Sequence, residues 1–153
     1  MKRVLFVCLG NICRSPMAEG LMRAYSQEQG VPLVVDSAAT SAWEVGNPLH
    51  PGTAKILRQA GIDMSGMQAR QIRLEDWQKY DYIIPMDHDN LTDLESSAPA
   101  GHKAKVATYL SVVPGKEAQD VPDPWYTGDF NETRDLLQAG LPYWLAKFRD
   151  EQE

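Results

Sequence analysis

The chain has 153 residues, enough for one domain with a proper core and too few for two. Its 15 basic and 21 acidic residues leave a net charge of −6, so it lacks the basic footprint of a nucleic-acid binder and the polybasic face that an anionic membrane attracts. Hydrophobic and charged shares of 43% and 24% are ordinary for a globular protein, and no apolar stretch reaches the length of a transmembrane helix.

Taken in order, the chain alternates short apolar runs with helical patterns. Arg3 to Val7 reads as a buried strand, and Pro16 to Gln29 as an amphipathic helix stopped by Gly30, with Pro16 in a first turn that needs no N–H there. Leu33 to Asp36 is a second strand, and His50 to Ala60 a helix closed by Gly61. Leu74 to Lys79 gives a helical turn ahead of a strand over Asp81 to Met86, and Asp87 N-caps a helix running to Ser97. Lys105 to Leu110 is the last strand, and Asp129 to Arg149 a long closing helix with a bend expected at Gly140 and Pro142. The alternation predicts an α/β domain over 1–153 with a doubly wound, four-stranded parallel sheet and helices on both faces. Ligands of such sheets bind beyond the C-terminal strand ends.

Met1-Lys2-Arg3 followed by Val4 to Val7 imitates a secretion signal, but Gly10, Asn11 and Arg14 cut the apolar run short and no small-residue cleavage site follows. The chain has two cysteines, Cys8 and Cys13, and three scattered histidines, His50, His88 and His102. That inventory makes neither a disulfide framework nor a structural metal site, so a cytoplasmic protein with a catalytic thiol is expected.

Cys8-Leu9-Gly10-Asn11-Ile12-Cys13-Arg14-Ser15-Pro16 follows the first strand directly and opens the first helix. A turn of this kind points successive backbone N–H groups into a concavity, and the helix dipole adds positive charge, so the loop is suited to an oxyanion with sulfur beneath it. Thiolate is the nucleophilic form expected of Cys8 in that setting. Gly10 and Asn11 tolerate unusual backbone angles, Arg14 offers a planar fork matched to phosphate oxygens, and the Ser15 hydroxyl can steady the sulfur. A lone cysteine after a strand is usually a small buried hydrophobe, and an arginine at a helix start is usually solvated. The coincidence of all of these residues in one loop favours chemistry. Cys13 reads as packing behind the loop, with a reversible disulfide to Cys8 as the alternative.

A thiolate attacking phosphorus needs a proton donor for the leaving group. Asp123, in Val121-Pro122-Asp123-Pro124-Trp125-Tyr126, is stiffened by two prolines and shielded by aromatics, although Asp-Pro by itself is only a turn opener. Trp43, Trp125 and Tyr126 fall in predicted loops and suit the walls of a cleft for an aromatic ring, whereas Trp77 and Trp144 fall in helical segments and suit packing. Asp87 and Asn90 follow a strand end and are placed to brace the loop, though capping alone explains Asp87.

These residues together resemble the low-molecular-weight protein tyrosine phosphatases. The likeness covers nearly the full length: Val4 through Pro16, Asp36-Ser37-Ala38 and Thr40, Ser41-Ala42-Trp43, Ala69-Arg70-Gln71-Ile72, Tyr80 through Ile84 with Met86-Asp87, and Asp123-Pro124. It implies a flavodoxin-like fold, no metal or cofactor, and a cysteinyl-phosphate intermediate on Cys8. Arg14 would clamp the phosphate, within a loop of Leu9, Gly10, Asn11, Ile12, Cys13 and Ser15, and Asp123 would be the acid that then activates water. The implied substrate is a phosphotyrosine-containing protein and the product inorganic phosphate, with the chain a monomer or weak dimer. Three positions depart from the pattern. Ala39 stands in place of a glycine, Met67 in place of a histidine of the polar network behind the loop, and Trp125 in place of a tyrosine.

Two relatives of the same fold and one silent alternative remain. Arginine-phosphate phosphatases tend to carry threonine at the position of Ile12, whose bulk favours a flat phenyl ester. Arsenate reductases use further cysteines, and none exists beyond Cys13. A catalytically silent phosphate-binding module would keep Arg14 and usually lose Cys8 or Asp123.

Overall fold

The computed structural model describes residues 1–151, so the last two positions of the expected 1–153 span lie outside the described residues. The strands are β1 (Lys2–Cys8), β2 (Leu33–Ala39), β3 (Tyr82–Pro85) and β4 (Lys105–Val106), and the helices α1 (Arg14–Glu28), α2 (Pro51–Gln59), α3 (Asp76–Lys79), α4 (His88–Ser97), α5 (Pro124–Thr127) and α6 (Phe130–Asp150). A short 3₁₀ turn covers Tyr109–Val112. The four strands form one parallel sheet in the order β2-β1-β3-β4, with Val4 opposite both Val35 and Tyr82.

β1 is apolar from Val4 to Cys8 because it is central and covered on both faces. Val4, Phe6 and Cys8 join Met17, Leu57, Tyr109, Trp144 and Phe148 on the face lined by α1, α2 and α6. Leu5 and Val7 point the other way, to Trp77 of α3, Ile83 and Leu94 of α4. Trp77 and Trp144 are thus core residues, as their helical positions predict. From β1 the chain passes to β2 on one side, and β3 lies on the other. The crevice at this reversal opens beyond the C-terminal ends of β1 and β3, and Cys8 is the last residue of β1. No helix among the described residues is long and apolar enough to cross a membrane.

Several boundaries differ from expectation for identifiable reasons. β4 ends at Val106 rather than Leu110: it pairs only through Lys105 and Val106 at the sheet edge, after which the chain turns inward to bury Tyr109 and Leu110. β2 runs on to Ala39, and α1 begins at Arg14, two residues before Pro16. Leu74 is exposed and outside α3. Trp125 and Tyr126 lie in α5 rather than in a loop, because the Asp123 carboxylate accepts from Trp125 N (3.0 Å), Pro124 takes the first helical position, and Gly128 at φ +74° ends the turn.

α6 continues as one helix through Gly140 and Pro142. Gly140 is there for a close approach: a Cβ at that position would overlap the buried Tyr109 ring, whose hydroxyl donates to Leu137 O at 2.5 Å and cannot swing away. Helix propensity alone would make Gly140→Ala stabilising by about 1 kcal/mol. Overpacking costs about 1–3 kcal/mol, so the expected net effect is a lower midpoint in thermal unfolding; a raised midpoint would show that Tyr109 yields.

Candidate active site

The loop from Cys8 to Ser15 closes over the end of β1. Asn11 is the one described non-glycine residue with a positive φ (60°), and that angle turns its N–H back onto Cys8 Sγ at 3.3 Å. Its side chain fixes the curve. Asn11 Oδ1 accepts from Arg70 N (3.0 Å), while Nδ2 donates to Ser15 Oγ (2.8 Å) and Ser37 Oγ (2.9 Å). An amide nitrogen only donates, so Ser15 Oγ is an acceptor in that contact and its own proton is free for Cys8 Sγ, 3.0 Å away, closer than Ala38 O at 3.5 Å. Ser37 in turn donates to Glu19 Oε1 (2.6 Å), and Glu19 pairs with Arg23 one helical turn on. The sulfur thus stands at the end of a continuous polar chain.

This chain of contacts bears on the departures from the family pattern. The Asn11 and Ser15 supports run to Ser37, Glu19 and the Arg70 backbone, and Met67 contributes no hydrogen-bonding side chain. Ala39 serves as the last residue of β2, donating to Arg70 O and accepting from Ile72 N, a conformation that requires no glycine. Arg70 is itself anchored by two contacts to Asp76, at 2.8 and 3.2 Å.

Arg14 is 2% exposed at the first position of α1. Its Nη1 donates to Asp87 Oδ2 (2.6 Å) and Val121 O (2.9 Å), and its Nη2 reaches Asp123 Oδ2 at 3.4 Å. Nε is buried and has no hydrogen-bond partner among the described residues. The Nε and Nη2 edge is therefore the one left for a ligand, which is the side-on fork that grips two oxygens of one phosphate. Burial would push the guanidinium down, but the Cys8 charge, the Asp87 hydrogen bond and the carboxylates of Asp123 and Asp87 outweigh it and hold it above its ordinary value. Asp87 also caps α4 by accepting from Asn90 N (2.6 Å), so the capping and bracing roles coincide.

A cleft of about 130 Å³ opens above the sulfur, and Cys8, Leu9, Gly10, Ile12, Cys13, Trp43, Asp123, Trp125 and Tyr126 all line it. Every residue expected in the site is therefore at the cleft or, like Asn11, Arg14 and Ser15, directly behind it. Two further residues escaped the sequence reading. Glu44 lines the cleft next to Trp43. His50 donates its N–H to Ile12 O (3.0 Å), caps α2, stacks on Phe130 at 4.8 Å and meets Trp125 edge-on at 5.8 Å. Neither carries a local motif; only the fold brings them to the loop. No group of three or more His, Cys, Asp and Glu side chains among the described residues is placed to hold a metal ion.

The comparisons with known proteins agree with this geometry. Residues 3–153 match the family described as low molecular weight phosphotyrosine protein phosphatase. The chain belongs to that family. It is 43% identical over 155 residues to the low molecular weight protein-tyrosine-phosphatase YfkJ of Bacillus subtilis, covering 100% of this chain and 99% of that one. The crystal structure of YfkJ matches with a TM-score of 0.94, covering 100% and 98% of the two chains. Phosphatase PtpA of Staphylococcus aureus is 39% identical over 140 residues, covering 90% and 87%. The drosophila arginine phosphatase DARP matches with a TM-score of 0.89 at 30% identity, covering 99% and 100%.

The two thiols of this phosphatase differ. Both are free, but Cys13 is pushed up to about 12, first by burial and then by the neighbouring Cys8 and Asp123 charges. At pH 7 it is then held as the thiol, and the thiolate is the nucleophilic form. Iodoacetamide at pH 7 is expected to label Cys8 and leave Cys13 unmodified, with inorganic phosphate protecting Cys8, as read by peptide mass spectrometry. Labelling first at Cys13 would contradict this assignment.

Proposed function

We propose that the chain is a protein tyrosine phosphatase that works through a cysteinyl-phosphate intermediate, releases inorganic phosphate, and acts in the cytoplasm as a monomer or weak dimer. The observation that carries the substrate class is the shape of the cleft. Cys8 is recessed at 3% exposure, while Trp43 and Tyr126 at the rim are 74% and 75% exposed. A phosphate on a short serine stem meets the rim before its phosphorus reaches the sulfur. An aryl phosphate spans the distance and lays its ring between apolar walls. A chain with only two cysteines, both in one loop, carries no disulfide framework of the kind that secreted domains use, which supports a reducing compartment.

In the first step the Cys8 thiolate attacks phosphorus in line with the ester oxygen. The S–P bond forms as the P–O bond breaks, and Asp123 gives its proton to the departing phenolate. The Arg14 fork and the loop N–H groups hold the three equatorial oxygens, which places preorganised positive charge where the transition state spreads negative charge. In the second step Asp123, now ionised, takes a proton from water as the water oxygen attacks phosphorus. The S–P bond breaks and Cys8 leaves as thiolate, steadied by the Ser15 hydroxyl and the Asn11 N–H.

A second reading, hydrolysis of phosphoarginine, draws on the likeness to the drosophila arginine phosphatase. The Ile12 side chain in the cleft favours a flat phenyl ring over a guanidinium. A silent phosphate-binding module is disfavoured because Cys8 and Asp123 share one cleft.

Hydrolysis of an aryl phosphate in EDTA is expected to disappear in Cys8→Ser, and phosphotyrosine to be preferred over phosphoarginine. A reversed preference would assign the chain to the second reading, and activity surviving Cys8→Ser would overturn the mechanism. Asp123→Asn is expected to lose about 10²–10⁴-fold on phosphotyrosine, and much less on esters of more acidic phenols. Equal losses across a leaving-group series would remove Asp123 as the acid.

A further inference from the structure

The cleft contains a charge that the proposed chemistry does not use. Glu44 stands over the phosphate loop: a Cβ built on Gly10 would lie 3.3 Å from Glu44 Cγ, and the Glu44 charge is felt by the Cys13 thiol inside the loop. A carboxylate there opposes a phosphate dianion, so it weakens binding of the very group the loop is built to hold unless a cation joins it.

The Glu44 segment is held in place rather than left loose. Ser41 donates its N–H and hydroxyl to Leu9 O, at 3.1 and 2.8 Å, tying the start of the turn to the loop. Gly46 N donates to Ala69 O (2.8 Å) and Ala69 N to Asn47 O (2.9 Å), fixing its far end. Asn47 Nδ2 donates to Glu44 Oε1 at 3.1 Å, which leaves the second carboxylate oxygen for a ligand. Around it are the exposed rings of Trp43, Trp125 and Tyr126, and no Lys or Arg lines the cleft among the described residues. Exposed aromatic faces attract ammonium and guanidinium groups as the carboxylate does.

We propose that Glu44, with the aromatic rim, is a specificity residue that receives a basic side chain, so that the preferred substrate is a phosphotyrosine with Lys or Arg beside it in sequence. This inference rests on the tyrosine phosphatase reading. The phosphate dianion and the flanking cation then enter together, the first to the loop and Arg14, the second to Glu44. An acidic flank meets Glu44 and Asp123 in a chain that already carries a net charge of −6.

The test is steady-state kinetics on matched phosphotyrosine peptides whose flanking residues are Lys, Ala or Glu, with the parent, Glu44→Gln and Glu44→Lys, at low and high salt. For the parent, kcat/KM is expected to favour the Lys peptide over the Glu peptide by about fivefold at low salt, the scale of one partly exposed ion pair, and to shrink as salt screens it. Glu44→Gln should flatten the ratio, chiefly through KM, and Glu44→Lys should invert it. Equal rates on all flanks in the parent, or a Lys preference that survives Glu44→Gln, would overturn this inference and leave the tyrosine reading standing. Hydrolysis of none of the phosphotyrosine peptides by the parent would overturn both.

Discussion

Arg14 is the side chain around which the site is assembled. A guanidinium at 2% exposure persists only where opposite charge and hydrogen-bond acceptors meet it, because desolvating an unpaired ion costs several kcal/mol. The acceptors come from two segments distant in sequence: Asp87 after β3, and the stretch leading into α5, which supplies both Val121 O and the Asp123 carboxylate. The buried cation therefore draws the acid-bearing segment and the strand end onto the phosphate loop. It also sets its own orientation. With both Nη1 contacts taken by Asp87 and Val121, the free edge is the Nε and Nη2 side, and phosphate competes only with the long 3.4 Å contact to Asp123.

The loop itself is held against a conformational cost. A left-handed backbone costs a non-glycine residue about 1–2 kcal/mol, and Asn11 recovers more than that by making three side-chain hydrogen bonds to Arg70 N, Ser15 and Ser37. A glycine at that position would adopt the angle freely and make none of those contacts. The same amide decides where the Ser15 proton points, so a backbone angle at one residue controls the hydrogen bond to the nucleophile. The relay ends at the Glu19–Arg23 pair on α1, which gives a carboxylate buried beneath the loop its counter-charge where Met67 offers none.

How much of this was legible follows from how local each signal is. β1, the loop and the start of α1 are contiguous, so Cys8, Arg14 and Ser15 could be read together with the chemistry they suit. Asp123 was readable because Pro122 and Pro124 mark it. The contacts of Arg14 span 73 residues to Asp87 and 107 to Val121, and no local pattern announces them, so the sequence placed Asp87 as a cap and a brace for the loop without naming Arg14 as what it braces. Ala107 to Leu110 has the apolar character of a strand, yet tertiary burial under α6 turned it away from the sheet, since Tyr109 and Trp144 exchange contacts there. Glu44 and His50 were missed for the same reason: each is ordinary in its own segment and becomes informative only against Gly10, Ile12 and Trp125.

The two cysteines show how far position outweighs residue type. They lie in one loop, both nearly buried and both without a disulfide. Cys8 faces the cleft with an N–H and a hydroxyl directed at its sulfur, donors that stabilise negative charge there. Cys13 packs with Ile12 and Ala69 against Phe130, where burial and the adjacent anions keep it protonated. The rim follows the same logic in reverse. Leaving Trp43, Trp125 and Tyr126 in water forgoes about 1.5–3 kcal/mol of burial for each, stability a folded chain gains when such rings pack inside. Rings kept outside at the mouth of a cleft with Cys8 at its floor and the Arg14 guanidinium behind it, one of them (Trp125) met edge-on by His50, suit a ligand that is apolar at one end and anionic at the other, as an aryl phosphate is.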